Sequence, residues 1–548
     1  MWQRCQTSLV FCPKLLKSRK MKKIEYLIVL VLSLFVLIIS FYPIYYRLKA
    51  TPIDRFYVGT TFYTADYAGY VSTIKQGING NFWYEDKFTT EKSFPKTFLY
   101  FPYLVLGRIA GFLGISAIAM YHLSRFVFGL FYLFAIYFLI KQIFAQENLA
   151  NLLKRLTAFI FVLFSSSFPI MRNAVVTVPN LSRMIAEVQV FNRFVIQPHF
   201  LLGNISLIIC LILFIRFWEK KNNTLLILSG FIVFFTTFFR PSNMILYLGV
   251  VFSFTLINSL IFFRSSVKWG TDDLKFFIVN FLFFLPAISY LYYLQQKYPF
   301  LPYFLYDKEN SGFLNLWDIV LLLGPVFLLS LPSFLIFKNK NRDGKILLLI
   351  LFIIVNFFLA LILPNFYQVN SLRFVQTPLF VVFSILAAFS IFRLCKNIIV
   401  ITIVVLVTVI LSFPTLWLDF WHEVHLYYDA YYIWPPKEYM TGLKFLEDNS
   451  SSQDTVLTYQ SLSGLVPMIS GNTVFWGHTN ETLDYHKKTS LVEKFYKGEM
   501  SEQEAKDFLE INGIKYILVG REEKGLGKFL YGFLERVFEN HEILIFKK

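Results

Sequence analysis

Few side chains in this sequence can do chemistry, because most of it is Phe, Leu, Ile and other apolar residues. The first that can is Asp66, in the run Thr64-Ala65-Asp66-Tyr67-Ala68-Gly69-Tyr70-Val71-Ser72-Thr73-Ile74-Lys75. A carboxylate within about 3 Å of an acceptor hydroxyl or amine can draw off its proton as a general base. If the leaving group is a phosphate, arginine is its most diagnostic partner, since a guanidinium pairs two phosphate oxygens at once. Arg373, Arg125 and Arg193 are candidates for that role, with Lys75 a weaker one. Tyr70 and Glu187 are candidate substrate contacts. Glu187 is a possible second acid, although a salt bridge with Arg183 four residues earlier is the simpler reading. Near the C-terminus, Trp476-Gly477-His478-Thr479-Asn480-Glu481-Thr482 places His478 and Glu481 where they could line an acceptor site. One His and one Glu are an incomplete metal-ligand set, and a structural turn is the plainer reading.

These residues need elements to hold them. The chain has 548 residues, 56% of them hydrophobic and only 16% charged, against about a quarter charged in a typical soluble protein. Apolar runs of about 18–22 residues recur, long enough to cross a hydrocarbon core of about 30 Å. The expectation is a polytopic α-helical membrane protein of about 11 spans. They are placed at 26–45, 115–140, 156–170, 200–217, 225–239, 244–263, 276–294, 316–337, 346–363, 374–392 and 398–416. The first run is too long for a signal-peptide core and reads as an uncleaved span; Met21 resembles a natural start as much as Met1 does. The segment 94–114 is apolar but broken by Pro95, Pro102, Gly107, Arg108 and Gly111, as in a helix lying along a membrane surface.

The formal charge of +17 does not point to nucleic acid. Lys and Arg sit mainly in alternate short connectors, such as Lys154-Arg155, Lys220-Lys221 and Arg393 with Lys396, the pattern that orients spans in a membrane. It predicts an integral plasma (inner) membrane protein with a cytoplasmic N-terminus over residues 1–25 and a multi-span domain over 26–417. An extracytoplasmic loop would span 47–114, and an extracytoplasmic α/β domain 418–548. In that last domain, 455–459, 473–476, 515–519 and 542–546 read as strands. Ser501 and Glu504 form a capping box for a helix that Asn512-Gly513 would end. Cys5, Cys12, Cys210 and Cys395 have neither disulfide nor zinc spacing, and Gly525-Leu-Gly527-Lys528 lacks the features of a phosphate loop.

With its acid in the first outer loop, surface helix, long later loops and Arg before a late span, the chain resembles the GT-C superfamily of membrane glycosyltransferases. Protein O-mannosyltransferases and lipid A aminoarabinose transferases belong to it. Its first loop commonly reads Asp-Glu-x-x-Tyr; Asp66-Tyr67-Ala68-Gly69-Tyr70 keeps the Asp and the Tyr, with Tyr67 at the second acid's place. The resemblance implies transfer of a sugar from a polyprenyl-phosphate donor to a glycan, lipid or protein acceptor, with inversion. Asp66 would be the base, and Arg373 with Arg125 would hold the carrier phosphate. No cofactor is required by the sequence, and a divalent metal is left open by the missing second acid. Membrane lipids are expected partners; nucleic acid is not. The competing classes are a transporter or flippase of lipid-linked sugars, a polysaccharide polymerase or ligase, and a non-catalytic receptor. Transporters usually carry related halves with polar breaks at mid-membrane, whereas here the acids cluster in loops and no repeat is visible.

Overall fold

The computed structural model describes residues 19–60, 64–91, 97–179, 182, 185–262, 270–297, 314–336, 343–366, 370–425, 430–527 and 531–548. Arg183, Cys5, Cys12 and the connector 298–313 lie outside them. The helices run α1 (Arg19–Lys49), α2 (Thr64–Ile78), α3 (Phe101–Leu113), α4 (Ala117–Ile143) and α5 (Leu149–Phe164). A short hairpin of β1 (Ile170–Arg172) and β2 (Val175–Thr177) leads to α6 (Pro198–Lys220), α7 (Asn223–Thr237), α8 (Pro241–Phe262) and α9 (Gly270–Gln295). Next come α10 (Leu316–Leu323), α11 (Pro325–Ser330), α12 (Pro332–Ile336), α13 (Gly344–Phe357), α14 (Thr377–Leu394) and α15 (Ile398–His425).

Among the described residues, eight helices are long and apolar enough to cross a membrane, or nine if the bent pair formed by α10 and the helix after it counts as one span. The other two segments expected as spans, α5 and α7, are helical but only 16 and 15 residues long. Each of the 11 expected segments is mostly helical over its described residues, but a count of 11 spans is not confirmed. The bend of 96° has a local cause. Gly324 takes φ 65 and ψ −156, a backbone region essentially reserved for glycine, and Pro325 starts the next helix where its missing N–H costs nothing. An added Cβ at Gly324 would collide with the Ser166 carbonyl. Helix α3, at 13 residues, is too short to cross a hydrocarbon core.

At the far end of the bundle, Glu25 of α1 accepts two hydrogen bonds from Arg155 of α5, at 2.7 and 3.0 Å, and one from Tyr137 of α4. Both charges are buried, so the pair locks three helices in register.

The C-terminal domain contains α16 (Lys437–Asn449), β3 (Thr455–Leu457), α17 (Gln460–Ile469), β4 (Thr473–Val474), α18 (Tyr485–Lys497), α19 (Glu502–Ile511), β5 (Ile514–Val519), α20 (Arg521–Leu526), β6 (Glu535–Glu539) and β7 (Leu544–Lys547). Its sheet has the order β4-β3-β5-β7-β6, with β4, β3 and β5 parallel and β7 antiparallel to both its neighbours. The Ser501–Glu504 capping box forms as expected, and Gly513 turns the chain at φ 61. Strand β6 is not among the expected strands because three of the five residues in Glu535-Arg-Val-Phe-Glu539 are charged, as an edge strand tolerates.

Helix α2 belongs to both parts. One apolar cluster joins Tyr67, Ala68, Val71 and Ile74 of α2 to Leu462, Leu465 and Val466 of α17. On another side α2 crosses α3 backbone to backbone. An added Cβ at Gly107 would lie 2.6 Å from the Gly77 Cα and 2.9 Å from the Ile78 nitrogen, with the Ile74 carbonyl nearer still.

Candidate active site

Asp66 lies in the first turn of α2, where the unpaired N–H groups of a helix favour a negative charge. Its side chain is 41% exposed, whereas Tyr67, Ala68, Tyr70 and Val71 just after it are buried. Tyr67 donates its hydroxyl to the Val58 carbonyl at 2.7 Å and stands edge-on to Tyr121. The residue at the second acid's place is thus a post that holds α2 against the chain before it.

The C-terminal domain reaches the same turn. The His478 Nε2 lies 3.3 Å from the Asp66 Oδ1, and the Asn480 amide donates to the His478 Nδ1 at 3.1 Å. The amide fixes the neutral ring's proton on Nε2, so Nε2 donates to Asp66. One turn along α2, an added Cβ on Gly69 would sit 3.2 Å from the Glu481 Oε1. His478 and Glu481 therefore clasp one face of α2 at positions 66 and 69, which neighbour each other on a helix. Both are buried. The turn that carries them is closed by Glu481 and Thr482 amides bonded to the His478 carbonyl at 3.2 and 2.8 Å.

A third acid backs this pair. Asp86 accepts the Phe88 amide at 2.8 Å on one oxygen, while the other is buried without a hydrogen-bond partner. Burial first, then the charge of Glu481, pushes the Asp86 carboxyl well above the usual range, toward its neutral form. Burial would lower His478, but Glu481, the hydrogen bond to Asp66 and the charges of Asp66 and Asp86 raise it to about 9. The Asn480 amide works the other way, because its N–H would face a proton added to Nδ1.

On the other side of Asp66, Tyr70 stacks on Tyr103 with centroids 4.8 Å apart, and Tyr103 bonds the His199 Nδ1 at 2.7 Å. Burial pushes the Tyr70 phenol up, and the charge of Asp66 adds to it. The rings of Tyr70 and His199 are 5.0 Å apart. Arg373 ends a short 3-10 turn, Ser371–Arg373, just before α14. Arg240 lies over the Phe200 ring at 3.6 Å and is bonded to Glu187, whose second oxygen accepts from Asn204 at 3.3 Å. The partner of Glu187 is Arg240; Arg183 lies outside the described residues.

The remaining cations are placed elsewhere. Arg193 is fully buried, with its guanidinium on the Val162 and Val188 carbonyls at 3.4 and 2.5 Å and over the Phe380 ring. That is an internal brace, closed to a phosphate. Lys75 pairs with Glu447 of the C-terminal domain at 2.5 Å, and so fastens α2 to α16. Arg125 is buried, bonded to the Val195 carbonyl and 3.2 Å from the His122 Nδ1. Among the described residues, no three of His, Cys, Asp and Glu are arranged to hold a metal ion. Arg240 was missed by the sequence reading. The signal was there: like Arg373, it stands at the end of an apolar run, just before a helix that opens with proline.

The sequence matches no family model, and comparison with curated proteins finds no relative. Solved structures do match. The archaeal oligosaccharyltransferase AglB from Archaeoglobus fulgidus, in complex with an inhibitory peptide and a dolichol-phosphate, is 13% identical with a TM-score of 0.54, over 92% of this chain and 70% of that one. ArnT from Cupriavidus metallidurans bound to undecaprenyl phosphate is 11% identical with a TM-score of 0.50, over 95% and 97%. The arabinofuranosyltransferase AftD from Mycobacteria is 12% identical with a TM-score of 0.53, over 95% of this chain and 41% of that one. All three are GT-C glycosyltransferases. With its helical bundle, its α2–α3 pair packed on α4 and its C-terminal α/β domain, this chain has the GT-C fold.

Proposed function

We infer that the protein is a membrane glycosyltransferase. It takes a sugar from a polyprenyl-phosphate-linked donor and passes it to a glycan, lipid or protein acceptor on the extracytoplasmic side of the plasma membrane. The observation that carries this reading is the half-exposed Asp66 at the head of α2, set against the buried Tyr70, Tyr103 and His199 cluster. A carboxylate open to an acceptor meets one need of the reaction, and an arginine just before a late span, Arg373, can meet the other. Asp66 takes the proton of the acceptor nucleophile as it attacks the anomeric carbon. Arg373 stabilises the negative charge that grows on the departing phosphate. Attack opposite that phosphate inverts the anomeric centre. The AglB and ArnT structures, which hold a dolichol-phosphate and undecaprenyl phosphate, support the choice of carrier.

The test is transfer or release of radiolabelled sugar from synthetic polyprenyl-phosphate hexose and pentose by the purified full-length protein. Asp66→Asn is expected to lower turnover by about 10²–10⁴-fold, the usual worth of a positioned base. Full turnover by a folded Asp66→Asn protein would remove Asp66 as the base.

A further inference from the structure

We propose that His478 of the C-terminal domain is a positioning residue for Asp66, so that the site is completed only when that domain is seated on α2. This rests on the reading of Asp66 as the base. Three observations carry it. The imidazole is buried, with its ring against Phe88 at 5.7 Å, and its Nδ1 is occupied by the Asn480 amide at 3.1 Å. That leaves Nε2 one direction in which to donate, toward the Asp66 Oδ1 at 3.3 Å.

The turn itself is fixed. The Gly477 amide donates to the Thr482 hydroxyl at 3.1 Å, and that hydroxyl donates to the Phe88 carbonyl at 2.9 Å. Finally, Asp66 needs an anchor. A carboxylate in the first turn of a helix is drawn back to the free N–H groups there, and a 41% exposed side chain has several rotamers open to it. A bond from His478 to Oδ1 selects one of them and leaves Oδ2 for the acceptor's proton.

The charged and titratable groups facing His478 are Asp66 from α2, Asp86 from the chain between α2 and α3, and Glu481 from its own turn. Lys488 of α18 acts on Asp86. None replaces the directed N–H. Nε2 carries its proton in both the neutral and the charged ring, so the anchor persists across the physiological range.

Two isosteres separate positioning from mere packing. Gln places its amide nitrogen near the position of Nε2, whereas Asn places its polar atoms near Nδ1 and stops short of Asp66. His478→Gln is expected to keep turnover within about threefold of the parent, and His478→Asn to lower kcat about 30-fold with the donor KM within about twofold. Thermal unfolding of both variants reports on folding.

A second readout does not depend on turnover. In protein labelled with nitrogen-15 on histidine and held in lipid nanodiscs, His478→Asn identifies the His478 resonance by its loss. Asp66→Asn should move that resonance and lower its titration midpoint. Equal kcat in the parent and His478→Asn while Asp66→Asn is inactive would overturn the proposal and leave the base assignment standing. So would a His478 resonance unmoved by Asp66→Asn. An active Asp66→Asn protein would instead sink the base assignment on which the proposal rests.

Discussion

The crossing of α2 and α3 makes a demanding test, because it moves the proposed base, Asp66, without touching it. In Gly107→Ala the new Cβ would lie 2.6 Å from the Gly77 Cα and 2.9 Å from the Ile78 nitrogen, and ordinary contact begins at 3.4 Å. The obstructing atoms are backbone, so no rotamer change relieves them. The helices must part by about 1 Å. Overpacking of this kind typically costs about 1–3 kcal/mol of stability. Displacement of a reacting group by about 1 Å can cost about 100-fold in rate. Gly111→Ala is the matched control on the same helix, since its Cβ would meet Ile78 at 3.5–3.6 Å. Sugar release from a polyprenyl-phosphate donor, with thermal unfolding in parallel, should show Gly107→Ala slowed about 100-fold and Gly111→Ala close to the parent. Equal rates for Gly107→Ala and the parent, in folded protein, would refute the claim that this crossing sets the place of Asp66.

Arg373→Ala should depress kcat/KM for a polyprenyl-phosphate sugar by at least about tenfold, and a saturating rate and KM equal to the parent's would exclude it from the phosphate site. Glu25→Gln leaves the buried Arg155 with only the partly exposed Glu147, 3.6 Å away, as counter-charge and should cost up to about 3–5 kcal/mol; an unchanged unfolding temperature would show that the pair is not closed to water. The pKa of His478, raised to about 9 from 6.5, links stability to pH. Its contribution is fully present below about 6.5, is lost as pH rises through about 9, and is at most about 3 kcal/mol, less whatever the Asn480 amide subtracts. Thermal unfolding between pH 6 and 10 should therefore decline more steeply in the parent than in His478→Gln, and parallel curves would contradict the shift. Glu523 is raised to about 8 from 4.5 chiefly by burial, so its charge costs stability as pH rises from about 4.5 to 8. Glu523→Gln should narrow that decline, as seen by the same measurement.

How much of this was legible follows the physics of each signal. Asp66 could be picked out because a carboxylate is rare in so apolar a chain, and the Ser501–Glu504 cap because its chemistry is local. The spans read well where they pack as unbroken helices. They misled at 316–337, where one glycine and one carbonyl, Gly324 and Ser166, turn the chain. Roles that depend on tertiary partners could not be read. Lys75 looks like a phosphate ligand until Glu447, 372 positions away, is brought beside it. Arg193 looks available until its environment is seen to be entirely internal. His478 and Asp66 carried no shared pattern at all, since 412 positions separate them.

That separation has a consequence for how the molecule is made. Ribosomal synthesis delivers α2 and the strip from Tyr84 to Glu91 hundreds of residues before the domain that covers them. The Lys87 carbonyl that accepts the Val474 amide at 2.9 Å and the apolar face of Tyr67, Ala68 and Val71 must wait for most of translation without a partner. The last domain, in turn, emerges with the β4 edge of its sheet uncapped and part of its apolar core missing, ready to join a surface already in place. Contacts so distant in sequence close slowly, and an uncapped edge invites wrong pairing while it waits. Truncation after α15 should therefore leave a bundle with a sticky face, and residues 430–548 produced alone should associate with themselves.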